Sequence, residues 1–159
     1  MPTHTNTHIA QPSRHPTGLL LGLLGALLAL LILNLAVFDD LRTDPSAGVL
    51  ETFTKPQHLS SLLAVLIAAA LIGFKHRSAA RVALVVAWTE IVAFAFFHAI
   101  PLEIGPSKPY WGEGMGDALQ WVGLVSILVV SAAIIGAVQR TPKPPVATGA
   151  ASVPAASMP

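Results

Sequence analysis

GLLLGLLGALLALLILNLAVF, residues Gly18 to Phe38, is 21 residues long, carries no charge and holds a single polar side chain, Asn34. At 1.5 Å of rise per residue a helix of that length spans ~32 Å, close to the thickness of the hydrocarbon layer of a bilayer. Three further apolar runs follow, at Leu59 to Phe74, Val82 to Ile100 and Ala118 to Val138. The shortest still reaches ~24 Å as a helix. The expected fold is therefore all-α: an integral membrane bundle of four transmembrane helices.

Composition agrees. Hydrophobic residues make up 53% of the chain and charged residues 11%, against about 25% charged in an ordinary soluble domain. A soluble protein with so little charge would expose large apolar patches, whereas a bilayer removes that penalty. The lipid bilayer is the first expected partner. The formal net charge is +1, so no strong field recruits a polyanion, and no nucleic acid is expected as partner. The absence of cysteine excludes disulfides, thiolate zinc sites and iron–sulfur clusters built by this chain.

The first run could be mistaken for a secretory signal. Arg14 supplies a weakly positive flank, but the run exceeds the usual length of such a segment and no A-x-A pattern follows Phe38. It is expected to stay as a helix.

Charge sorting gives an orientation. Arg14, the Lys75, Arg77 and Arg81 turn, and Arg140 with Lys143 lie in three segments without an acid. The other two loops carry Asp39, Asp40, Asp44 and Glu51 with Arg42 and Lys55, and Glu103, Glu113 and Asp117 with Lys108. Lys and Arg thus divide six against three. The positive-inside rule places the richer side, and with it both termini, in the cytoplasm. An even number of spans independently requires both ends on one side. A multi-pass protein of the cytoplasmic or plasma membrane is expected.

The chain divides into a disordered cytoplasmic tail at 1–16, a transmembrane domain at 17–140 and a second disordered tail, rich in Pro and Ala, at 141–159. Within the domain the helices are expected at about 18–38, 58–74, 81–100 and 117–138, with outer loops at 39–57 and 101–116. The second loop is dense in Pro and Gly and carries Tyr110 and Trp111, suited to turns folded onto the headgroup layer. The short Lys75–Arg81 connection makes the second and third helices antiparallel neighbours. Gly18, Gly22, Gly25 and Ala26 form a small-residue face on the first helix. It is expected to pack against another helix of the same chain, with self-dimerisation as the alternative.

Glu90 is the sharpest chemical feature. It lies near the middle of its apolar run, where insertion of a central acid costs ~2.5–3.5 kcal/mol. Ala83, Ala87 and Phe94 share its helical face, so it is expected to point into the bundle. The plain structural role would be one interhelical hydrogen bond to Ser126 or Ser131. The functional role would be the floor of a pocket. Asn34, His58, Ser60, Ser61, His98 and Gln120 all fall near the outer helix ends, while Ser131 alone is polar in the inner halves. That asymmetry suits an outward-facing pocket and argues against a continuous aqueous channel, which needs polar lining throughout.

The candidate ligand-binding set is Glu90, His98, His58, Gln120 and Asn34. His58 and His98 are also the candidate metal ligands, because neutral imidazole binds zinc and copper, though no regular His spacing accompanies them. A histidine bonded to a loop acid as a structural latch is the plainer role. No phosphate loop, nucleophile elbow or zinc-protease signature occurs, so no catalytic residue and no cofactor is assigned. The leading functional expectation is a non-enzymatic membrane protein whose outward-facing polar pocket binds a small ligand, ion or lipid-like molecule. The second is an accessory subunit packed against a membrane-protein partner. The third is a proton-coupled transporter or membrane-embedded enzyme acting as a homo-oligomer, since a single copy has only one mid-membrane acid.

Overall fold

The computed structural model describes residues 17–44, 46, 48–99 and 117–140. The expected tails at 1–16 and 141–159, and the loop 101–116 with Tyr110 and Trp111, lie outside the described residues.

The first helix, α1, covers Thr17–Leu33 and runs directly into a π-helical segment, Asn34–Phe38. Two short helices follow, α2 at Asp40–Thr43 and α3 at Val49–Thr54. The helix α4 covers Pro56–Gly73; α5 covers Ala79–Phe94 and continues as a second π segment, Ala95–Ala99; α6 covers Ala118–Gln139. No strand occurs among the described residues. Four helices are long and apolar enough to cross a membrane by length and composition, at Thr17–Arg42, Pro56–Gly73, Ala79–His98 and Ala118–Gln139.

The local chemistry explains the boundaries. Pro56 occupies the first turn of α4, where its fixed φ suits the helix and its missing N–H removes nothing. The helix therefore starts two residues before the expected His58. At the other end Lys75 takes a positive φ of 53°. Its N–H donates to Ile72 O at 3.0 Å, and His76 N–H donates to Leu71 O at 2.8 Å. This pair of bonds is a Schellman stop, which turns the chain into α5 within a few residues. Asp117 opens α6 through a capping box with Gln120, satisfying helix N–H groups that would otherwise lack partners.

Each long helix packs against two others, in the ring order α1, α4, α5, α6 and back to α1. Helices α1 and α5 are diagonal, as are α4 and α6. The shared core is built from narrow stripes. Leu20, Leu24, Leu27 and Leu31 come from α1, Val65, Ala68 and Ile72 from α4, Ala83, Val86 and Ala87 from α5, and Ile127, Ile134 and Ile135 from α6. Outside these stripes the same helices expose Leu19, Leu63, Ile67, Val85, Val92, Val125 and Val129. A helix apolar all round and buried on one stripe only suits lipid on its other faces. The small-residue face of α1 departs from expectation. A Cβ added at Gly18, Gly22 or Gly25 would meet nothing within 4 Å. That face points away from the core, because α1 uses its leucine stripe for packing within the chain.

The two ends of the ring differ in charge. The C-terminal end of α1, the short helices, and the N-termini of α4 and α6 carry Asp39, Asp40, Asp44, Glu51 and Asp117; this is the acidic end. The opposite end carries Lys75, Arg77, Arg81 and Arg140.

Candidate functional site

A cleft of about 600 Å³ opens at the acidic end among α1, α4 and α5. Both π segments contribute to it: Asn34 and Leu35 from the first, Phe97 and His98 from the second. In the first, Asp39 N–H donates to Asn34 O at 2.9 Å, reaching five residues back. The widened turn re-aims the side chains around it, a device common at functional sites. In the second, the His98 ring tilts against Phe94, with centroids 5.5 Å apart.

The wall is graded. Near the end of the ring it holds Asp39, Asp40, Lys55, Gln57 and His58; deeper it holds Leu31, Leu62, Ala93 and Phe94. Ser60 and Thr89 line the cleft and are both exposed. Thr89 immediately precedes Glu90, so the cleft reaches to mid-helix depth beside α5.

Glu90 does not line the cleft. It is 1% exposed, and the polar side chain facing its carboxyl is Ser61 of α4. Ser61 does line the cleft and so separates the acid from it. The neighbouring hydroxyl is thus on α4, and the expected Ser131 of α6 makes no hydrogen bond to it. Glu90 Oε2 and Ser131 Oγ are buried without a hydrogen-bond partner, as are Asn34 Oδ1 and Thr52 Oγ1. Such atoms cost about 1–3 kcal/mol each when nothing satisfies them; of the four residues, Asn34 alone lines the cleft.

His58 is held from two sides. Its Nδ1 lies 2.7 Å from Thr52 O. A carbonyl only accepts, so Nδ1 carries the proton. Nε2 lies 3.8 Å from Asp40 Oδ2, beyond hydrogen-bond length, so the ring ties α3 to α4 through Thr52 and would pair with Asp40 of α2 only when doubly protonated. His98 lines the same cleft. Among the described residues no group of three or more His, Cys, Asp or Glu side chains is placed to hold a metal ion.

Gln120 lies elsewhere, in a clasp beside the cleft. Its Nε2 donates to Asp39 Oδ1 at 2.6 Å, and its Oε1 accepts from Asp117 N–H at 3.0 Å. Arg42 completes the clasp. It donates from Nε and Nη2 to Phe38 O at 3.2 and 3.0 Å, and Nη1 pairs with Asp117 Oδ2 at 2.6 Å. The Asp117 carboxyl is held below the usual aspartate range, first by the Gln120 backbone N–H and then by the Arg42 guanidinium. The clasp brings α6 so close to α1 that a Cβ on Gly123 would lie 2.8 Å from Asn34 Oδ1 and 2.9 Å from Phe38 Cδ2.

Of the five candidates, Asn34, His58 and His98 share the cleft, Glu90 stands behind it and Gln120 belongs to the clasp. Sequence reasoning placed Ser60 and Ser61 near the outer helix ends but did not reach Lys55, Gln57 or Thr89. The one signal available was the adjacency of Thr89 to Glu90.

Compared with known protein families, curated proteins and solved structures, the chain matches none. Function therefore has to be argued from the site itself.

Proposed function

We propose that this membrane protein binds a small amphiphile in the cleft at its acidic end, entering sideways from the bilayer. The observation that carries the reading is the depth of the cleft, which reaches the exposed Thr89 at the middle of α5. An exposed hydroxyl at mid-helix depth has no use for lipid tails, but it suits a polar-headed guest. The volume, about 600 Å³, falls in the range of small-molecule sites. The charged upper wall matches a headgroup, and Leu31, Leu62, Ala93 and Phe94 match an alkyl or aromatic body. Glu90 acts behind Ser61, fixing the serine hydroxyl and keeping that wall polar.

In a bundle oriented by the positive-inside rule, the basic end is cytoplasmic and the cleft opens on the opposite leaflet. An impermeant maleimide applied to intact cells should then label a Ser46→Cys variant and leave His76→Cys unlabelled. The reverse pattern would place the cleft in the cytoplasmic leaflet.

Binding is tested in nanodiscs with a fluorescent dodecyl amphiphile. Saturable binding is expected, and Ala93→Trp, which fills the cleft, should abolish it. Val92→Trp, on the exposed flank, should not. Failure to saturate above the level of empty nanodiscs would sink the reading.

A second reading, a subunit of a larger membrane complex, is favoured by one observation. The Gly18, Gly22 and Gly25 face is uncovered, and such faces allow close helix–helix approach. Gentle solubilisation decides it: a chain that migrates alone speaks against a stable partner.

A further inference from the structure

We infer that the amphiphile taken by the cleft carries a second polar group, an uncharged hydroxyl or carbonyl at the inner end of its apolar body. This rests on the amphiphile reading above and adds the chemistry of the guest's far end.

The cleft is polar at two depths, and one helix shows both. Along α5 and its π segment the lining side chains are Thr89, then Ala93, Phe94 and Phe97, then His98. Their spacing keeps them on one helical face. That face reads polar, apolar, polar from the floor to the rim. Thr89 and His98 are nine residues apart, a rise of ~13 Å. The neighbouring helix repeats the inner end of the pattern. Ser61 of α4 is the polar side chain facing Glu90, and Thr89 is the residue before Glu90. Ser61 and Thr89 both line the cleft, so two hydroxyls, one from each helix, stand at nearly one depth.

The Thr89 hydroxyl is not spent on its own helix. A helical threonine or serine commonly turns its hydroxyl back to a carbonyl three or four residues earlier. Thr54 does so, donating to Leu50 O at 2.8 Å, and Ser60 donates to Gln57 O at 3.0 Å. Among the described residues Thr89 makes no such bond. Its donor and its acceptor lone pairs both face whatever fills the cleft. A guest ending in bare hydrocarbon would leave that hydroxyl without a partner and away from water, which costs free energy.

The depth also selects against charge. Thr89 stands at the middle of an apolar span, where an ionised group is costly. The cleft's Lys55, His58 and His98 lie toward the rim, too far out to neutralise an anion at the floor. A hydroxyl or carbonyl exchanges a hydrogen bond with Thr89 and brings no charge.

Decanol and decanediol, with a hydroxyl at one end or at both ends of the same chain, test the inner group. Each competes with the fluorescent dodecyl amphiphile in nanodiscs, and empty nanodiscs give its concentration in the lipid. On that scale decanediol should bind about fivefold or more tighter than decanol, the size of one neutral hydrogen bond. Thr89→Val, which keeps the branched shape, should bring decanediol down to the level of decanol. Thr89→Ser, which keeps the hydroxyl, should preserve the advantage. No advantage for decanediol, an advantage that survives in Thr89→Val, or one lost equally in Thr89→Ser would overturn the second polar group and leave the amphiphile reading standing. If the fluorescent amphiphile itself fails to saturate above empty nanodiscs, both fall.

Discussion

Gln120 Nε2 donates to Asp39 Oδ1 across 2.6 Å, joining the start of α6 to the end of α1 over 81 residues of sequence. The same clasp holds Asp117 against Arg42. Asp117 has a lowered folded-state pKa, so its ionised form is favoured by folding. The stability this supplies is present above the ordinary aspartate value and is lost as pH falls through the lower folded value. Thermal unfolding in detergent should therefore weaken on acidification below about pH 4. Asp117→Asn, which keeps an N-cap acceptor but has no charge to lose, should flatten that acid limb. An unchanged limb in the variant would remove Asp117 from the account.

Two glycines, both on membrane-spanning helices, should respond oppositely to the same substitution. A Cβ on Gly123 would meet Asn34 Oδ1 at 2.8 Å and Phe38 Cβ at 3.1 Å, whereas a Cβ on Gly22 would meet nothing within 4 Å. Gly123→Ala should destabilise the fold by about 1–3 kcal/mol through overpacking. Gly22→Ala should be neutral or stabilising by up to about 1 kcal/mol, the helix-propensity gain. Melting temperatures of the two variants in one detergent check the pair, and a loss at Gly22 would reveal a partner packed on that face.

The pairing of Ser61 with Glu90 yields an asymmetric pair of variants. Ser61→Ala removes the polar side chain facing the buried carboxyl and should cost about 1–3 kcal/mol. Glu90→Leu removes the buried polar group altogether and should be neutral or stabilising. Equilibrium unfolding of both variants measures the contrast. If Glu90→Leu is as damaging as Ser61→Ala, then Glu90 serves stability and not the cleft.

The spans were legible because they depend on length and hydrophobicity alone, which Gly18–Phe38 states without ambiguity. The site was legible only in depth. Position along a helix gives height within the membrane, and height is what gathered Asn34, His58 and His98 at one end. It does not give the order of helices around the ring. Glu90 was therefore assigned a partner on α6, at Ser126 or Ser131, although α5 packs against α4 as well as α6 and Ser61 of α4 faces the acid. Gln120 shows the same limit. It sits at the right height for the cleft, but the ring order turns it toward Asp39, where its two-headed amide satisfies an aspartate and a helix cap together. The glycine face of α1 was misread for a related reason. Small residues permit close packing but do not require it, and the leucine stripe on the opposite face buries more apolar surface.

Occupancy of the cleft can be read at two adjacent positions, because the chain has no cysteine of its own. Ser60 lines the cleft, and its neighbour Leu59 is exposed and does not. Single Ser60→Cys and Leu59→Cys variants in nanodiscs are alkylated with a maleimide, with and without a dodecyl amphiphile. The expected result is slowed alkylation at position 60 and an unchanged rate at position 59. Equal rates at both positions, whether both slow or both unaffected, would contradict a guest in the cleft.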